Sequence, residues 1–143
     1  MSPKKYQLVL VEDSEDDAVL FGLNLRRTGL DQSFDLIRRF SCGEDAIDYF
    51  ANPSRTLVPE PLPDILLLDI KLPGCSGLDV LAKLPKLDPR PVLAVYTSSA
   101  LPEDKQKAEA LGAGLFETKK AEPADFSRFL LALGRLAYQR RPI

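Results

Sequence analysis

Histidine is absent from the 143 residues of this chain. Its absence removes Ser-His-Asp catalysis, imidazole ligation of a metal and any role as a phosphohistidine donor. The two cysteines, Cys42 and Cys75, stand far apart without C-x-x-C or Cys/His spacing, so neither a disulfide framework nor a zinc site is expected. They read as free thiols. No apolar run approaches the roughly 20 residues that span a bilayer, and the opening Met1-Ser-Pro-Lys-Lys-Tyr6 lacks a signal-peptide core. A cytoplasmic protein with no membrane partner is the expectation. Positive charge is not in excess either. The net charge of −2 argues against a nucleic-acid surface covering the domain, and Arg140-Arg141 makes only a small local patch. A composition of 45% hydrophobic and 28% charged residues over this length suits one compact domain spanning 1–143, without room for a separate output module.

What the chain does contain is an alternation of short apolar runs with amphipathic segments, the pattern of an α/β fold with a parallel sheet. Leu8-Val-Leu-Val11 reads as a buried first strand. Ser14 then caps a helix to about Thr28, with Asp17 placed to complete a capping box. Ala18, Phe21, Gly22 and Leu25 form the inner face of that helix. Phe34 to Phe40 is the second strand, and Gly43 to Ala51 is the second helix, carrying Ala46, Ile47 and Phe50 inward. Pro53, Pro59, Pro61 and Pro63 demand an extended or irregular connection.

Asp64-Ile-Leu-Leu-Leu-Asp69 is the most apolar run, as a central strand covered on both faces requires. Leu72-Pro-Gly74 turns out of it, and a short helix runs from about Gly77 to Leu84. Pro91 to Tyr96 is the fourth strand, Pro102 opens a helix ending near Gly112, and Leu115 to Thr118 is the fifth strand. The last helix starts at Pro123, reaches about Arg140, and aligns Phe126, Phe129, Leu130, Leu133 and Ala137 on one stripe. The sum is (βα)₅: a doubly wound, flavodoxin-like sheet of five parallel strands in the order 2-1-3-4-5.

Groups at the C-terminal ends of such strands gather on one edge, where ligands bind. Glu12 and Asp13 end the first strand, Asp69 ends the third, Thr97 follows the fourth and Lys119 follows the fifth. Three carboxylates packed together repel unless a cation or protons neutralise them. Oxygen ligation without histidine or cysteine selects a hard ion, Mg²⁺ or Mn²⁺. Such a metal can offset the charge that builds up in phosphoryl transfer, Lys119 can neutralise a further oxygen, and Asp69 is a carboxylate able to form an acyl phosphate. Taken singly, each residue has a plainer role as a helix cap, a turn residue or a solvated side chain. Five of them on successive strand ends of one sheet are hard to dismiss.

Val11-Glu-Asp13, Leu68-Asp-Ile-Lys-Leu-Pro-Gly74, Thr97 and Lys119 together resemble the signature of the response-regulator receiver family, over essentially the whole chain. The resemblance implies that Asp69 accepts a phosphoryl group from a sensor histidine kinase or phosphotransfer protein. It also implies a Mg²⁺ held by Glu12, Asp13, Asp69 and the backbone carbonyl of Lys71, with Lys119 assisting. Thr97 becomes the switch hydroxyl and Phe116, three residues before Lys119, the switch aromatic. Two departures stand out. Lys120 occupies the place of the usual proline after the lysine, and a cis bond before a non-proline costs about 2.5–4 kcal/mol, which favours a trans peptide and a differently shaped loop. The acidic pair is Glu-Asp rather than Asp-Asp, so Glu12 either binds the metal directly or reaches it through water. The proline-bearing segment and the Glu-Asp-Ser opening resemble the small regulators paired with bacterial phytochrome kinases.

Two other classes compete. A phosphatase of the haloacid-dehalogenase type needs a second acid two residues after its nucleophile, and Lys71 stands there. A receiver-like binding module that works without phosphorylation would have lost site residues, and all the principal ones are present. For output, the expectation is a downstream protein partner, or a homodimer, at the face of the fourth helix, fifth strand and fifth helix, where Leu131 and Tyr138 lie off the buried stripe.

Overall fold

The computed structural model describes residues 4–51, 62–87, 89–98, 101–119 and 122–140. Five strands, β1 (Tyr6–Val11), β2 (Phe34–Phe40), β3 (Ile65–Leu68), β4 (Val92–Thr97) and β5 (Leu115–Thr118), alternate with helices α1 (Glu15–Arg27), α2 (Gly43–Ala51), α3 (Gly77–Lys83), α4 (Pro102–Ala110) and α5 (Pro123–Arg140). The strands form one sheet in the order β2-β1-β3-β4-β5. Every neighbouring pair is parallel. This is the (βα)₅, flavodoxin-like architecture expected. Pro53, Pro59, Pro61, Lys120 and Arg141 lie outside the described residues.

Alternation along the strands divides the core into two halves. Leu8, Leu10, Ile65, Leu67, Ala94 and Tyr96 face one side, where they meet Phe21, Leu25, Phe126, Phe129 and Leu130 from α1 and α5. Val9, Val11, Leu66, Leu68, Leu93 and Val95 face the other, against Ala46, Phe50, Val80, Leu81 and Ala108 from α2, α3 and α4. All four residues of β3 and all six of β4 are buried, because helices cover both faces of the sheet centre. Both cysteines are free.

Ser14 caps α1 by accepting the Asp17 N–H, but the expected reciprocal bond from the Ser14 N–H to the Asp17 carboxylate is not made. The backbone N–H of Ser14 donates instead to Glu12 Oε2 at 3.2 Å, and the Asp17 carboxylate turns to Lys119. A full capping box occurs on α3, between Ser76 and Asp79. The inner face of α1 also differs: Phe21, Asn24 and Leu25 are buried, whereas Gly22 is only half-buried. The α5 stripe is buried as expected, with Gly134 added to it.

At the sheet's C-terminal edge the pairing runs on past the strands. The N–H of Glu12 donates to the Phe40 carbonyl at 2.9 Å, that of Asp69 to Val11 at 3.0 Å and that of Lys119 to Thr97 at 2.7 Å. Three functional candidates are thus fixed to a neighbouring strand while their side chains stand clear of the sheet.

Candidate functional site

Asp69 sits at the centre of this edge, with 5% of its surface exposed. Its Oδ1 accepts from the Thr97 hydroxyl at 2.8 Å and from the Lys71 N–H at 3.2 Å. Its Oδ2 accepts from the Lys119 ammonium at 2.9 Å. Lys119 also donates to Glu12 Oε1 and, at 2.8 Å, to Asp17 Oδ2. All three donors of the ammonium are therefore engaged by carboxylates. Glu12 is 3% exposed and Thr97 fully buried; Asp13, next to Glu12, faces solvent.

Burial and charge oppose each other here, and the balance differs from group to group. Burial raises the Glu12 pKa above its ordinary value, and the Lys119 hydrogen bond only partly offsets it. For Asp69, burial pushes the same way, but the hydrogen bonds from Lys119 and Thr97 outweigh it and hold the carboxyl below its usual range. Lys119 loses by burial and gains more from Asp17, Glu12 and Asp69, so its pKa is raised. Asp69 is thus an ionised, oriented carboxylate at neutral pH, and Lys119 a fixed positive charge beside it.

Ligand oxygens of Glu12, Asp13 and Asp69 all lie within 4.8 Å of one another. An all-oxygen set of this kind fits a hard divalent cation. Three carboxylates, those of Glu12, Asp17 and Asp69, share the one Lys119 ammonium and Asp13 adds a fourth nearby, a surplus of negative charge that such a cation would offset. Lys71 presents its N–H to the Asp69 carboxylate.

The sequence-based candidates Glu12, Asp13, Asp69, Thr97 and Lys119 therefore meet at one edge. Phe116 stands apart from them, half-buried on β5 against the α2–α4 half of the core. Two participants were not anticipated. Asp17 is the first. The second is Arg39, which reaches across from β2 to donate to the carbonyls of Glu12, at 3.0 Å, and Asp13, at 3.2 Å, bracing the loop that carries the acidic pair.

The model of the response regulator receiver domain matches residues 8–130. The chain belongs to the response regulator receiver family. As a receiver domain it is a component of two-component signal transduction. A protein-glutamate methylesterase/protein-glutamine glutaminase of Paramagnetospirillum magneticum is 30% identical over 92 residues, covering 64% of this chain and 23% of that protein. The chain thus spans less than a quarter of that relative. Among solved structures, the bacteriophytochrome response regulator RtBRR is 28% identical, with a TM-score of 0.70, covering 92% of the receiver domain and 79% of its own chain. The Mn²⁺-bound form of response regulator Rcp1 is 26% identical, with a TM-score of 0.69 and 96% coverage of both chains. Among the described residues, no helix of the receiver domain is long and apolar enough to cross a membrane.

Proposed function

We propose that this receiver domain accepts a phosphoryl group on Asp69 from the phosphohistidine of a sensor histidine kinase or phosphotransfer protein. The observation that carries the reading is the Asp69 carboxylate, buried and held at both oxygens by Thr97, Lys71 and Lys119. In the transfer, the phosphorus–nitrogen bond of the donor breaks, a bond from an Asp69 oxygen to phosphorus forms, and the imidazole leaves. The chain's lack of histidine makes the partner the source of the phosphohistidine. Lys119 is positioned to follow the transferred group, exchanging its bond to Asp69 for one to a phosphoryl oxygen. Thr97 does the same on the other side, and space vacated by its hydroxyl lets Phe116 turn inward.

A Mg²⁺ held by Asp13, Asp69 and the Lys71 carbonyl would supply positive charge to the phosphoryl oxygens. Glu12 fits a water-mediated contact, since Lys119 and the Ser14 N–H already engage its two oxygens. Mn²⁺ could replace Mg²⁺ in the same oxygen set, and the Mn²⁺-bound Rcp1 structure supports this. The likeness to RtBRR and Rcp1 supports a phytochrome-type kinase as the donor. A kinase charged by ATP implies a cytoplasmic place of action. Output passes to a downstream protein, or to a second copy, at the α4-β5-α5 face, where Leu131 is 56% and Tyr138 70% exposed.

Incubation with acetyl phosphate and Mg²⁺, followed by intact mass, tests the reading. One stable phosphoryl adduct is expected; rapid turnover of the donor points to a phosphatase, and an unchanged mass to a phosphorylation-independent binding module. Asp13→Ala is expected to weaken Mg²⁺ binding, measured by calorimetry, about ten-fold or more. Loss of an outer partner of a metal ligand already costs that much, and Asp13 would be a ligand. Asp17→Ala is expected to slow phosphoryl uptake about two- to five-fold, the scale of one partly exposed ion pair. An unchanged rate would mean that Glu12 and Asp69 alone orient Lys119.

A further inference from the structure

Beside Lys119, bounded by α1, the start of α5 and the ends of β1 and β4, lies a pocket of about 250 Å³. Its walls are largely apolar, with Leu20, Phe21, Tyr96 and Phe126 among them. Phe21 meets Phe126 edge-on at 5.3 Å and Tyr96 at 6.4 Å between ring centroids. Asn24 also lines it and is 3% exposed. The backbone carbonyl of Asn24 accepts from Thr28, but its side-chain amide has no hydrogen-bond partner among the described residues. Native proteins seldom leave a buried amide unsatisfied.

Water entering from solvent can satisfy Asn24, but over Leu20, Phe21, Tyr96 and Phe126 it finds few partners, and an apolar ring displaces such loosely held water at a gain. An apolar cavity of about 150 Å³ already takes a benzene-sized guest. This larger one has room for one ring with a polar substituent. A carboxamide donates and accepts at once, so the complementary group is another amide, which meets Asn24 with a reciprocal pair of hydrogen bonds. Glu12 and Asp17 in the lining disfavour an anion, and Lys119, whose donors are all engaged, offers it no free bond.

We propose that this pocket is a binding site for a small, uncharged aromatic carboxamide. Its occupant lies against Glu12, Asp17 and Lys119 but not against Asp13 or Asp69, and its binding does not depend on phosphoryl transfer.

The test is a titration of the ¹⁵N-labelled chain with benzamide, followed by NMR, with benzoate and toluene as comparisons. Saturable shifts are expected at the amides of Leu20, Asn24, Tyr96 and Phe126, with benzoate and toluene binding at least about ten-fold more weakly, the loss of a paired buried hydrogen-bonding group. Asn24→Leu should abolish the preference for benzamide over toluene. Leu20→Trp, at a side chain already 40% exposed and therefore tolerant of change, should block all three probes. The absence of saturable shifts up to the solubility of benzamide overturns the proposal. So does equal binding of toluene and benzamide to the parent chain, or benzamide binding that both variants leave unchanged.

Discussion

Asp69→Asn is expected to take up no phosphoryl group under conditions that label the parent chain fully. An amide carries no anionic oxygen to attack phosphorus, so the proposed nucleophile is lost although the side chain keeps its shape. The surrounding hydrogen bonds also reject it. Lys119 donates to one oxygen of the carboxylate, and Thr97 and Lys71 donate to the other. An Asn NH₂ on the first side meets the Lys119 ammonium; on the other it meets the Lys71 N–H. Either orientation sets donor against donor. Loss of one charge from the crowded carboxylate cluster partly offsets this cost, so the folded state should persist and the loss should be chemical. Intact mass after acetyl phosphate treatment, with circular dichroism as the control for folding, decides the matter. A phosphoryl adduct on the variant would move the acceptor elsewhere.

The strands, the helices and the five residues that meet at the sheet edge were legible because each leaves a local mark. Apolar runs of the length of β1, β3 and β4 can only be interior strands here, and a charged residue directly after such a run must sit on the sheet edge. Asp17 was legible only in part. An acid three residues after Ser14 fits a capping box, and nothing nearby in the chain shows that a lysine 102 positions away competes for it. Lys119 prevails because it is partly buried among three carboxylates, where a charged pair gains more than an exposed cap does. The backbone donor that Asp17 leaves at Ser14 then falls to Glu12. Arg39 escaped for a similar reason. On β2, an edge strand, it reads as a solvated charge, and its bonds to the carbonyls of Glu12 and Asp13 depend on strand register alone. Asn24 breaks the apolar pattern of α1, so helical spacing hides its burial.

Gly77→Ala is expected to destabilise the fold by about 3 kcal/mol, the upper part of the usual range for an overpacked core. A Cβ at this position would lie 2.1 Å from the Asp69 carbonyl oxygen, 2.9 Å from its carbon and 3.1 Å from Ile70 Cα. These are backbone atoms, and they have little freedom to yield. The Asp69 N–H is tied to Val11 on β1, and the Gly77 N–H to the Ile70 carbonyl at 2.8 Å. The capping box of Ser76 and Asp79 fixes the first turn of α3 from the other side. Relief therefore requires α3 to move off the sheet or the Asp69 loop to shift, and the second course displaces the carboxylate from Thr97 and Lys119. The variant should lose about 10 °C in melting temperature, given roughly 2–4 °C per kcal/mol for a domain near this size, and should also accept phosphoryl groups more slowly. Gly22→Ala supplies the contrast. Nothing lies within 4 Å of its added Cβ, and alanine in a helix interior is favoured over glycine by about 1 kcal/mol, so that variant should melt at or above the parent temperature. Equal melting of the parent and Gly77→Ala would mean that the contact between α3 and the Asp69 backbone is slack, and that the position of Asp69 is held from β1 alone.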